Sequence, residues 1–240
     1  MHRLRIAAAF GIACLVLGCQ SPEKEIVEQT HPDGAKKKVV SYRGQRTNIT
    51  KTLFYFPDGS IQSEQYFKKG KPDSLLAINF PNGKRYKETY FKAGVRNGLE
   101  RSWYESGQLK SETAFVNDQP EGKVLGYFED GTVASEVTFV NGKKEGEEIS
   151  YYQDRTRRSL KTYANGLANG PEREWYKGGT LKMEQTWVND VLNGPYATYY
   201  PNGKKEEEGS YADGAFDGRR FMYDERGRKV SEATYEKGNL

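Results

Sequence analysis

The chain has 240 residues, of which 35% are hydrophobic and 13% aromatic, and its formal net charge at pH 7 is +4. So small an excess of positive charge gives no general attraction to polyphosphate, which argues against a nucleic-acid partner. The low hydrophobic content excludes a thick core, so the aromatic rings are expected to supply much of the buried area.

The amino terminus reads as an export signal. Two arginines precede an apolar run over residues 6–17, which is too short to remain in a bilayer as a spanning helix. Residues 16–19, Val-Leu-Gly-Cys, resemble the lipobox of bacterial lipoproteins. That resemblance implies cleavage after residue 18 and acylation of Cys19, with membrane association through the lipid. An ordinary cleaved signal that leaves a free thiol is the alternative.

Three segments are predicted: a lipoprotein signal peptide over residues 1–18, a flexible tether over 19–30 and a repeat array over 31–240. Residues 20–30 are polar and lack the pattern of the array, so they predict a tether that reaches roughly 35 Å at about 3.3 Å per residue. By resemblance to enterobacterial sorting, in which an aspartate after the acylated cysteine retains the protein at the inner membrane, Gln20 implies the outer membrane, facing the periplasm.

A basic patch is expected near the anchor, from Lys36, Lys37 and Lys38 together with Arg43 and Arg46. These side chains would contact anionic head groups, or the lysines would protect a terminal strand from edge-to-edge association. We favour the second interpretation.

A 24-residue period governs the rest of the chain. The glycines in this register are Gly59, Gly83, Gly107, Gly131, Gly179, Gly203 and Gly227. Two aromatic columns, beginning at Phe56 and Phe67, keep the same period. So does a glutamate column: Glu64, Glu88, Glu112, Glu136, Glu184, Glu208 and Glu232. A fixed period of this length predicts an array of small units that pack on their neighbours, with function on an extended surface.

Each unit is predicted to be a β-hairpin. Segments such as Pro201-Asn202-Gly203 separate runs rich in β-branched and aromatic residues, and Asn-Gly favours a two-residue turn with positive φ at both positions. The predicted fold class is therefore all-β, an elongated antiparallel meander of successive hairpins.

Alternation along the strands predicts a second ring-bearing face beside the glutamate column. Tyr223 belongs to this face, and the candidate binding residues on it are Trp103, Tyr127, Tyr151, Trp175 and Tyr199. Successive glutamates would lie about 9.6 Å apart, at about 4.8 Å per strand. We interpret them as a solvated ladder, since a metal site needs several ligands at one point.

One copy departs from the pattern. Arg155 replaces the turn glycine, Leu160 replaces the glutamate, and Arg157 and Arg158 add charge. Drift in a tolerant array explains this, and the alternative hypothesis is a bulged, basic spot that docks a partner's acidic group.

The pattern Tyr-x-x-x-Gly-x-x-x-x-Glu-x-x-aromatic-x-x-Gly-x-x-x-Gly, present from Tyr200 to Gly218 and from Tyr104 to Gly122, resembles the bacterial MORN-repeat variant, including YwqK-like proteins labelled antitoxins. The resemblance covers residues 31–240 in eight or nine copies. It implies an elongated sheet of hairpins that binds proteins or lipids. An antitoxin role would rest on the family label alone.

No catalytic, metal or cofactor site is predicted. His31 is the only histidine after the signal, and the sequence has none of the usual phosphate-loop, zinc or serine-nucleophile motifs. The predicted function is a non-enzymatic, lipid-anchored scaffold that binds another cell-envelope protein. Cell-wall or polysaccharide binding is the alternative, because aromatic hairpins are similar to choline-binding modules. A passive spacer is the third possibility, and the oligomeric state is open.

Overall fold

The computed structural model describes residues 21–239, all of whose regular structure is β-strand. The strands are β1 Glu23–Thr30, β2 Lys36–Arg43, β3 Ile49–Tyr55, β4 Ile61–Lys68, β5 Lys71–Asn79, β6 Arg85–Lys92, β7 Val95–Trp103, β8 Leu109–Val116, β9 Gln119–Tyr127, β10 Val133–Val140, β11 Lys143–Tyr151, β12 Arg157–Ala164, β13 Leu167–Trp175, β14 Leu181–Val188, β15 Val191–Tyr199, β16 Lys205–Ala212, β17 Ala215–Phe216, β18 Gly218–Tyr223 and β19 Lys229–Tyr235.

These strands form one open sheet. Each pairs antiparallel with the next in the chain, except that β17 and β18 both pair with β16. The predicted all-β meander of hairpins is confirmed. The buried apolar residues are small or scattered: Val39, Val40, Leu53, Ala77, Phe115, Ile149, Leu160, Ala168 and Ala197. Stability therefore comes from strand pairing and from contacts between neighbouring hairpins.

Two kinds of turn alternate along the chain, so each kind lies at its own edge of the sheet. At the tight-turn edge, two-residue turns such as Asn141-Gly142 have positive φ at both positions, +50° and +76°. At the wide-turn edge, Gly203 alone in its turn has positive φ, +81°, and its N–H donates to the Tyr200 carbonyl at 2.8 Å. The two-residue turn predicted at Asn202-Gly203 is therefore wrong. The tight turns lie at the other hairpin connections.

The tether is shorter than predicted, because residues 23–30 form β1. Ile26 lies opposite Val40 and Val27 opposite Val39. These β-branched pairs favour a strand, and the segment's polar residues are mostly exposed. Only residues 19–22 of the predicted tether precede the sheet. The predicted signal peptide and Cys19 lie outside the described residues.

The predicted basic patch is divided between the two edges. Lys36–Lys38 begin β2 near the wide-turn edge, whereas Arg43 ends it at the tight-turn edge, next to Arg46. Seven residue steps at about 3.3 Å each separate Lys36 from Arg43 by roughly 23 Å. Because β1 covers β2, these lysines do not protect a terminal strand, and our favoured interpretation of them was wrong.

Candidate functional site

One face of the sheet, here called the ring face, carries the predicted aromatic column. The rings of Trp103, Tyr127, Tyr151, Trp175 and Tyr199 are half-buried, one from each successive hairpin. Each lies at the end of its strand, where a register shift precedes the wide turn, as between Thr198 and Tyr199. The ring face therefore repeats one aromatic residue for every two strands.

The glutamate column lies on this same face, as predicted. Tyr151 donates its hydroxyl hydrogen to Oε1 of Glu136 at 2.7 Å, and Tyr199 donates to Oε1 of Glu184 at 2.7 Å. Tyr223 donates likewise to Glu208, at 2.5 Å. These bonds run between neighbouring strands, so each ring is fixed by the carboxylate beside it.

The glutamates do not form a row of free carboxylates, because cations lie between them. Ion pairs join Arg85 to Glu88 at 3.1 Å, Arg101 to Glu112 at 2.6 Å, Arg173 to Glu184 at 3.5 Å and Lys229 to Glu232 at 2.5 Å. Lys123 pairs with Glu136, and Lys205 with Glu208. The ring face is thus a polar surface with balanced charge, and each exposed pair contributes about 0–1 kcal/mol of stability.

These contacts shift the pKa values of the ring face. The hydrogen bonds from Lys123 and then Tyr151 hold the pKa of Glu136 below its usual value of 4.5. Burial, and then the hydrogen bond to Glu184, raise the pKa of Tyr199 to about 12. The Glu136 carboxyl is therefore ionised and the Tyr199 hydroxyl protonated near neutral pH.

The opposite face carries the second aromatic column, and cations cover several of its rings. The Arg96 guanidinium lies 4.0 Å from the Phe115 centroid, and Lys161 Nζ lies 4.0 Å from that of Trp187. Trp187 also donates its indole N–H to Glu172 at 2.6 Å. Sequence reasoning missed these contacts, although the period would have shown that lysines and arginines recur near the ring positions. The covered rings of this face are less available to a ligand than those of the ring face.

The departing copy keeps the ordinary wide turn. The Arg155 N–H donates to the Tyr152 carbonyl at 2.9 Å, as the glycines of sister turns do, and Arg155 takes a φ of +68°. The register shift at Ser150 and Tyr151 also matches those of sister hairpins. The bulge of the alternative hypothesis is therefore one that the sister hairpins share, and the feature peculiar to this turn is a bulky residue in a left-handed conformation.

The three arginines do not converge. Arg157 lies directly opposite Tyr151 in the strand register, and Arg155 lines a shallow depression together with Tyr151 and Glu136. Arg158 instead lines a depression on the opposite face. That depression includes Ser159, whose hydroxyl hydrogen-bonds Ser150 at 2.6 Å, and Glu174, which pairs with Lys182. Arg155 and Arg157 thus each lie beside Tyr151, whereas Arg158 lies with Ser159 and Glu174.

Comparison with known families identifies the repeats. The model described as "MORN repeat variant" matches residues 51–69, 96–117, 120–141, 168–189 and 192–213. Each of these five stretches is similar to a MORN-variant repeat. MORN repeats are generally found in repeat proteins that serve as binding scaffolds. The departing hairpin lies between two matched MORN repeats, and the sheet continues through it with the same strand pairing.

Other comparisons add little to the MORN match. No curated protein matches the chain. Among solved structures, the chain is similar to "Crystal Structure of TcdB2-TccC3", at 11% identity and a TM-score of 0.21, over 87% of this chain and 16% of that one. The related "Crystal Structure of TcdB2-TccC3-Cdc42" gives 11% identity and a TM-score of 0.21, over 87% and 15%. The chain thus spans about a sixth of the length of the solved chains that it matches.

Within residues 21–239, no group of three or more His, Cys, Asp and Glu side chains is placed to hold a metal ion. The same range contains no helix long and apolar enough to cross a membrane.

Proposed function

We propose that this protein is a non-enzymatic scaffold of the bacterial cell envelope, anchored through acylated Cys19 to the outer membrane, that binds another envelope protein through its ring face. The observation that carries the proposal is the ring face itself, an uninterrupted row of half-buried rings, one per hairpin, on a single sheet. From Trp103 on β7 to Tyr199 on β15 there are eight strand steps, so at about 4.8 Å per step this row extends over roughly 38 Å.

The chemistry of the ring face suits a protein partner. Tyrosine, tryptophan and arginine are the residues that most often dominate the energetics of protein interfaces. Here the hydroxyls of Tyr151 and Tyr199 are held by glutamates, so the rings are ordered before a partner arrives. Preorganised rings lose little conformational entropy on binding, which favours affinity.

The position of the anchor supports the membrane assignment. The first strand begins at Glu23, four residues after Cys19, and Ser21 lines one depression with Lys68 and Lys69 at the tight-turn edge. Those two lysines line a second depression with Lys71 and Lys92.

These four lysines are available to an anionic surface. All are exposed, and within the described part of the chain none of them makes an ion pair. Each would contribute about 1 kcal/mol near anionic head groups, so this edge suits a chain attached to a membrane at residue 19.

Site-specific crosslinking in cells tests the scaffold. A photoreactive residue at Tyr199, on the ring face, should crosslink to one envelope protein. The matched control is Met183, which is equally half-buried but lies on the opposite face, paired with Glu174. Equal crosslinking from both positions, or none from Tyr199, would contradict the proposal. Retention by purified peptidoglycan, with no protein crosslink, would favour polysaccharide binding instead.

The anchor has its own test. Cys19→Ser should move the full-length protein from the membrane fraction to the soluble fraction. Persistence of the variant in membranes would rule out anchoring through that thiol.

A further inference from the structure

One position in the repeat carries a basic residue three places before the column glutamate. Arg85 pairs with Glu88 at 3.1 Å, and Lys229 pairs with Glu232 at 2.5 Å. Lys205 pairs with Glu208 in the same way. Where the repeat places a cation here, the column glutamate neutralises it within the same strand.

Arg157 occupies this position in the departing hairpin, but its partner is missing. Leu160 stands where the glutamate should be and is 4% exposed. Arg157 is itself exposed, and no ion pair within residues 21–239 involves it. This hairpin therefore has a cation at position 157 but no carboxylate at position 160.

Two of the carboxylates nearby are already in use. Glu136 accepts hydrogen bonds from Lys123 and Tyr151, and Glu184 accepts one from Tyr199 and pairs with Arg173. At this hairpin the ring face therefore lacks the column glutamate that its sister copies carry.

A second cation, Arg155, lies beside the same tyrosine, Tyr151. Arg155 lines a depression of about 400 Å³ with Tyr151, Glu136 and Val133. Its side chain is exposed and makes no ion pair in the described range, although its charge helps to lower the pKa of Asp130, whose oxygen accepts a hydrogen bond from Thr132. A non-glycine residue at a φ of +68° is strained, and such strain is concentrated at functional sites.

We infer that Arg155 and Arg157, beside the Tyr151 ring, form an anion-binding site for an aspartate or glutamate side chain on an acidic segment of the partner protein. The incoming carboxylate supplies the negative charge that Leu160 does not. Guanidinium groups bind carboxylates through paired hydrogen bonds, and the ring gives the segment an apolar contact. This inference rests on the proposed scaffold function and names the chemistry of its partner.

The test measures binding of fluorescein-labelled hexaglutamate to the full-length protein by fluorescence anisotropy, in low salt. Arg157→Gln should weaken binding about three- to tenfold, as expected for one charge-assisted contact at a partly exposed site. Arg158→Gln removes the same charge from the opposite face and should leave affinity within about twofold, because that arginine makes no contact with the site.

Leu160→Glu provides a sharper variant, because it removes no cation. The new carboxylate should pair with Arg157, as Glu208 pairs with Lys205, and weaken hexaglutamate binding by at least the same factor. Leu160→Gln, which has the same shape without the charge, should bind like the natural protein. Circular dichroism of each variant checks that the sheet is intact.

Several results would overturn the inference: no binding of hexaglutamate, equal losses in Arg157→Gln and Arg158→Gln, or equal effects of Leu160→Glu and Leu160→Gln. Tighter binding of polygalacturonate than of hexaglutamate would assign the site to an acidic glycan and would also overturn it. If these variants fail to weaken binding while Tyr199 still crosslinks to a protein partner, the scaffold proposal stands and only this site is wrong.

Discussion

Replacing Arg155 by glycine should make the array more stable. The φ of Arg155 is +68°, and the left-handed region costs an ordinary L-residue about 1–2 kcal/mol. Glycine avoids this strain, but it makes the unfolded chain more flexible, which takes back about 0.4–1 kcal/mol. The free energy of unfolding should therefore rise by about 0.5–1 kcal/mol, and the Tm by about 1–4 °C for an array of this size.

Urea denaturation followed by tyrosine and tryptophan fluorescence measures this change. The matched control is Gly131→Arg, in the turn Asp130-Gly131-Thr132, which has the same neighbours as Asp154-Arg155-Thr156. Gly131 has a φ of +83°, and a Cβ added there meets nothing within 4 Å. Gly131→Arg should therefore lower the free energy of unfolding by about as much as Arg155→Gly raises it. A less stable Arg155→Gly protein would refute the reasoning, because it would mean that the arginine's contacts outweigh its strain.

Three further predictions concern the repeats. Gly98→Ala should lower the free energy of unfolding by about 1–3 kcal/mol in urea melts, since its φ is +123° and its new Cβ would lie 3.0 Å from Cβ of Tyr90. Absorbance titration should give Tyr199 a pKa of about 12, and Glu184→Gln should lower that pKa. The stability linked to this phenol is fully present below pH 10 and is lost as pH rises through 12. An unchanged pKa of Tyr199 in Glu184→Gln would contradict the assignment. The depressed pKa of Glu136 contributes stability above about pH 4.5 that is lost on further acidification, so Glu136→Gln should flatten the acid limb of the stability curve.

The periodic part of the fold was predictable from sequence because the turns and rings repeat in register. The 24-residue period predicted the hairpins. The alternation of side chains along each strand predicted that Tyr199 and Glu184 lie on one face, where they form a hydrogen bond. The turn types were assigned to the wrong connections, because Asn-Gly occurs at both kinds. At Asn202-Gly203 a five-residue loop closes with Tyr200 N–H donating to the Lys204 carbonyl, and this choice depends on the strand register.

The errors in the candidate site have similar causes. The strand β1 was not predicted because Ile26 and Val27 are its only apolar residues. The stability that these two residues contribute depends on their pairing with strand β2. The ion pairs of the glutamate column depend on the strand register, which composition does not reveal. Arg157 and Arg158 are separated by the register shift between Ser150 and Tyr151. The absence of a partner for Arg157 was readable in principle, by comparing position 160 with its sister copies.

Small-angle X-ray scattering of the acyl-free Cys19→Ser protein tests the central claim that the repeats form one extended sheet. A sheet of nineteen strands spaced about 4.8 Å apart, with strands of about eight residues, should have a radius of gyration of about 25 Å. A compact domain of similar length would give about 17 Å. A value near 17 Å would contradict the extended ring face and the scaffold function built on it.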